Sequence, residues 1–87
     1  MGLAMAQIAR SSTQLGDALR RFRTLAGMNQ SEVAALAGLR QATISKVESG
    51  YGAVRTETIF AILAALNLEL NIDIRSKSSA EDIEDIF

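Results

Sequence analysis

A chain of 87 residues with 48% hydrophobic side chains is sized for one domain, whose core alone supplies about 3–5 kcal/mol, a margin that dimerisation would widen. It contains no cysteine and no histidine, which excludes disulfide frameworks and thiolate metal sites and removes the commonest general base. Its formal net charge of −1 conceals an uneven division: residues 1–55 carry a balance of +4 and residues 56–87 one of −5, so only the first part is suited to meet nucleic acid.

Residues 1–10 (MGLAMAQIAR) lack periodicity and read as an N-terminal arm. Their one charge, Arg10, comes last, the reverse of a secretory signal, and Ala6 stands where a myristoylation pattern needs Ser or Thr. The longest apolar run, residues 59–66, is too short to span a bilayer, so the cytoplasm is the expected compartment and no membrane partner is expected. A first helix begins near Ser11 or Ser12, with Ser11 and Gln14 in capping-box spacing. Its expected buried stripe is Leu15, Ala18, Leu19, Phe22 and Leu25. Arg20, Arg21 and Arg23 lie off that stripe, as a solvated face or as phosphate contacts. Gly27 followed by apolar Met28 marks a Schellman-like stop.

Residues 30–49, QSEVAALAGLRQATISKVES, read as two short helices joined by a tight turn. Asn29 is a favoured N-cap and Glu32 is placed to complete a capping box, with Val33, Leu36 and Ala37 on one apolar face. Gly38 ends that helix through positive φ. The second helix runs from about Gln41 to Glu48, turning Ile44 and Val47 inward and Gln41, Ala42, Ser45 and Lys46 outward. Ala34 is the small residue that lets the two helices cross closely. Gln30, Ala34, Gly38, Ile44, Ser45 and Val47, with the run ATISKVESG, resemble the motif of the Cro/repressor family of helix-turn-helix proteins, over the stretch from the first helix to about Leu66. The resemblance implies a mainly α domain of four to five helices whose second motif helix enters the major groove of DNA.

The outward residues suit that role. Arg40 stands where Ser or Thr would normally cap the recognition helix and opposes the helix dipole, so a phosphate or guanine is its expected partner. The Gln41 amide can pair bidentately with adenine N6 and N7, and Ala42 can touch a thymine methyl. Ser45, one turn on, can bond a base edge or phosphate; Thr43 and Lys46 flank the face and fit backbone contacts. Gln30 is expected to bond phosphate together with free helix-terminal N–H groups.

Beyond the loop Gly50-Tyr51-Gly52, a further helix is expected over residues 56–66 with Ile59, Ile62, Leu63 and Leu66 facing the core, and with Tyr51 and Phe60 as packing residues. The period then changes to two: Leu66, Leu68, Leu70, Ile72 and Ile74 alternate with polar residues, the pattern of a half-buried β-strand. A lone strand needs a partner for its backbone, and the expected one is the same strand of a second copy, antiparallel across a two-fold axis, through Leu68, Leu70, Ile72 and Ile74. Setting Ile72 opposite itself places Glu69 across from Arg75. A repressor-like domain followed by such a strand resembles the HipB-type antitoxins, as do Arg40 before QATIS and the first-helix run STQLGDALR. That resemblance implies a homodimer that binds palindromic operator DNA of its own operon and restrains a HipA-type serine/threonine kinase toxin.

The tail, residues 76–87, is acidic with Ile83, Ile86 and Phe87 in helical spacing, as a partner-binding segment or a solubilising one. The domain plan is therefore an arm (1–10), a helix-turn-helix domain (11–66), a dimerisation strand (67–75) and a tail (76–87). Competing readings are a stand-alone phage-type repressor and an interaction domain that no longer reads DNA. No catalytic residue, metal ligand, cofactor or small-molecule substrate is expected.

Overall fold

The computed structural model describes residues 6–75, which form four helices: α1 (Ser12–Leu25), α2 (Gln30–Ala37), α3 (Gln41–Glu48) and α4 (Thr56–Ala65). Local chemistry starts and stops them. The Ser11 hydroxyl accepts the Gln14 N–H at 3.1 Å, while the Gln14 side chain reaches one residue further than a capping box would, to the Arg10 N–H at 2.6 Å. At α2 the reciprocal box is complete: Asn29 Oδ1 accepts the Glu32 N–H and Glu32 Oε1 accepts the Asn29 N–H, each at 2.8 Å. All four helices end in the same way, on a left-handed residue (Gly27, Gly38, Gly50 and Asn67). The next N–H then turns back to a carbonyl five residues earlier: Met28 to Arg23, Leu39 to Ala34, Tyr51 to Lys46 and Leu68 to Leu63.

The core is Leu19, Val33, Ala34, Ile44, Val47, Ile62 and Leu63. α2 packs on α3 and α4, and α1 packs on α3. Ala34 is buried at the motif crossing, as its size requires. Gly16 is the second close approach. A Cβ there would press on the carbonyl oxygens of Val47 and Glu48, so α1 lies against the backbone of the end of α3.

Several expected core residues are not in the core. Leu25 and Leu36 are 61% and 65% exposed, because each lies on a helix turn that no neighbouring helix covers. Phe22 is only half-buried, and Tyr51 and Phe60 are exposed rather than packed. No strand forms among the described residues. Leu68 packs on the core, whereas Leu70, Ile72 and Ile74 are exposed, Ile72 at 88%. A strand needs a ladder, and the described residues of a single chain offer this segment nothing to pair with. The tail residues Ile83, Ile86 and Phe87 lie outside the described residues. Among the described residues no helix is long and apolar enough to cross a membrane.

The Gly16 contact sets two effects against each other. Alanine improves helix propensity by about 1 kcal/mol, but overpacking against backbone atoms costs about 1–3 kcal/mol. Because neither carbonyl can swing aside, Gly16→Ala is expected to lower the midpoint of thermal unfolding, by roughly 5–10 °C in a domain of this size.

Candidate nucleic-acid interface

The expected recognition helix presents the expected face. Arg40, Gln41, Ala42, Ser45 and Lys46 are exposed along α3, while Ile44, Val47 and Glu48 are buried behind them and Thr43 is half-buried at the margin. Arg40 occupies the N-cap of α3 in extended conformation and makes no side-chain capping bond. Arg55 does the same at α4. Both cations stand at the positive end of a helix dipole, where an anion would be favoured. Lys46 lies over the Tyr51 ring, its Nζ 5.6 Å from the centroid, which extends the exposed face into the loop after α3.

Behind this face runs a chain of hydrogen bonds. Arg23 donates from Nε to Glu48 Oε2 at 2.6 Å and from Nη2 to Glu48 Oε1 at 3.0 Å, and its Nη1 holds the Met28 carbonyl at 2.8 Å. Gln30 Nε2 donates to Glu48 Oε1 at 3.0 Å. Gln41 Nε2 donates to Gln30 Oε1 at 2.6 Å. A buried ion pair is thus linked, through Gln30, to the first residue of α3. Gln41 is exposed, and its amide keeps an oxygen and a second N–H for a ligand.

Burial alone pushes the Glu48 carboxyl up. The hydrogen bonds from Arg23 and Gln30 and the charges of Arg23 and Arg20 outweigh it, and the group lies below the ordinary carboxylate range. The Arg23 guanidinium is raised above its usual value, chiefly by the hydrogen bond it donates to Glu48, with burial acting against it.

These positions correct two expectations. Arg23 belongs neither to a solvated face nor to a phosphate contact; it is the partner of a buried acid. Gln30 is half-buried and spends one N–H on Glu48, so only the second remains for a phosphate. Glu48 is not among the residues expected from the motif, although a carboxylate four residues after inward Ile44, at the negative end of its helix, needs a compensating cation.

The helix-turn-helix family's sequence profile matches residues 19–72. Antitoxin HipB of Escherichia coli (strain K12) is 36% identical over 74 residues, covering 85% of this chain and 84% of that protein. The chain belongs to the helix-turn-helix family of the HipB antitoxins. Two solved HipB structures show the same fold. One, a "HipB-O4 20mer complex", has a TM-score of 0.76 at 35% identity and covers 82% of this chain and 100% of that one. The other, a "HipA-HipB-O2-O3 complex", has a TM-score of 0.75 at 35% identity with the same coverage. The mainly helical domain expected from the motif is thus that of the HipB proteins.

The ion pair governs the stability of this HipB-type domain. Arg23→Met strands a buried carboxylate, at a cost of about 3–5 kcal/mol, and the variant is expected to be largely unfolded by circular dichroism at neutral pH. Because the folded Glu48 pKa is depressed, its contribution is fully present above the unfolded value of about 4.3 and is lost as pH falls through the lower folded value. Urea unfolding from pH 7 to pH 3 should show the wild type losing stability more steeply than Glu48→Gln.

Proposed function

We propose that this chain is an antitoxin and autorepressor. In this reading it binds a near-palindromic operator beside its own gene as a homodimer, in the cytoplasm, and restrains a HipA-type kinase. The observation that carries the DNA reading is the exposed α3 face, with Gln41 held at its N-terminus by Gln30. Gln41 would read adenine, Ala42 a thymine methyl, and Ser45 a base edge, while Arg40, Thr43, Lys46 and the second N–H of Gln30 would bond phosphates. Tyr51 and Arg55 join the predicted set, one beside Lys46 and the other at the start of α4. The solved HipA–HipB complex of a close structural neighbour supports a kinase partner over a stand-alone repressor.

The dimer would form along the alternating segment, with Leu68, Leu70, Ile72 and Ile74 of two copies in an antiparallel ribbon that covers the exposed Leu70, Ile72 and Ile74, and with Ile83, Ile86 and Phe87 left for the kinase. Two α3 helices related by a two-fold would then meet half-sites about 34–36 Å apart.

Two measurements test this. In a gel shift on the DNA upstream of the gene, over a salt series, a discrete complex with a steep negative salt slope is expected. Gln41→Ala should weaken it by about 1–3 kcal/mol per half-site and relax preference at one base step. Equal loss on random DNA would contradict direct reading. In sedimentation at micromolar concentration the wild type should be a dimer and Ile72→Lys, which sets like charges face to face, a monomer. An Ile72→Lys dimer would place the contact elsewhere.

A further inference from the structure

We infer that Glu48, a buried acid on the inner side of α3, selects the base that Gln41 prefers by fixing the direction of two side-chain amides. This rests on the proposal that Gln41 reads DNA.

An ionised carboxylate can only accept hydrogen bonds. Arg23 engages both oxygens of Glu48 and keeps the group ionised, and Oε1 takes a further bond from Gln30 at 3.0 Å. Gln30 must therefore turn its NH2 inward, which points its carbonyl oxygen at Gln41. The two side chains meet at 2.6 Å, a separation at which two amide oxygens would repel. Gln41 must then give an N–H. What remains on Gln41 is one oxygen and one N–H, an acceptor beside a donor. Adenine offers the complement in the major groove, the N6 donor beside the N7 acceptor, whereas guanine offers two acceptors, O6 and N7. The charge at position 48 thus reaches the outer face as a hydrogen-bond direction.

A neutral amide at position 48 can give as well as accept, and so no longer forces either glutamine. The inference separates from a merely structural role for Glu48, because lost stability weakens binding to every sequence alike. Selection from a pool of random-sequence duplexes with the wild type, and again with Gln41→Ala, identifies the base step that depends on Gln41. Competition between duplexes carrying adenine or guanine at that step then reads the preference.

The wild type is expected to favour adenine by about tenfold or more. Glu48→Gln, folded by circular dichroism, should lose most of that ratio. Gln30→Met, which cuts the chain while leaving both Arg23–Glu48 hydrogen bonds in place, should lose it as well, and carries the test alone if Glu48→Gln does not fold. Ile62→Val, a core truncation on α4, should lower the unfolding midpoint and leave the ratio unchanged. A wild-type ratio retained in folded Glu48→Gln or in Gln30→Met overturns the inference while leaving DNA reading intact. A preference for guanine in the wild type also overturns it. A wild type with no Gln41-dependent step overturns the reading beneath it as well.

Discussion

The Arg23–Glu48 ion pair is the constraint from which the rest of the domain takes its geometry. It joins the last turn of α1 to the last residue of α3, and the same guanidinium holds the Met28 carbonyl in the connection leading to α2. Three of the four helices are therefore referred to one charged group. The arrangement carries a cost, since Glu48 is only 7% exposed and sits where the α3 dipole opposes it. Two bonds from Arg23 and one from Gln30 offset that cost, so the carboxylate remains charged. Packing supplies the remainder through Leu19, Val33, Ile44 and Val47, the buried core residues of α1, α2 and α3.

Specificity of shape and the proposed specificity of recognition share parts here. Gln30 opens α2, yet one end of its amide belongs to the buried pair and the other to Gln41. Residues that never reach a ligand can in this way orient those that do. The α3 face is correspondingly simple: short side chains at Ala42 and Ser45, with longer polar groups at Arg40, Gln41 and Lys46.

The motif was legible because its signals are local and agree with one another. Asn29 with Glu32, Gly38, small Ala34 and inward Ile44 and Val47 each constrain the same turn and crossing, and the bounds of α2 and α3 followed from them. What was not legible depended on neighbours. Leu25 and Leu36 have helical spacing, but periodicity names a face and not the stretch of it that another helix covers. Arg23 lies four residues after buried Leu19 and Glu48 four after buried Ile44, so both were on inward stripes. Taking Arg23 for a surface or phosphate-binding cation, with no role assigned to Glu48, hid a pairing that their positions already implied. The alternating segment after α4 is a different case, since its pattern calls for a ladder and the described residues of a single chain supply none.

The contact at Gly16 bears on how this domain can adapt. With no side chain between them, the α1 backbone rests on the carbonyls that close α3, and the ion pair locks the same two elements about two turns further along α1. Neither helix can slide or tilt alone without steric overlap or a separated charge pair. In the proposed complex α1 and α3 would therefore meet a duplex as one rigid body, and any mismatch in curvature would have to be absorbed by the nucleic acid. The elastic cost of any bending would then fall on the DNA, lowest where pyrimidine–purine steps make it pliant, so that stiffness in the protein would become a selection on base pairs its side chains never touch.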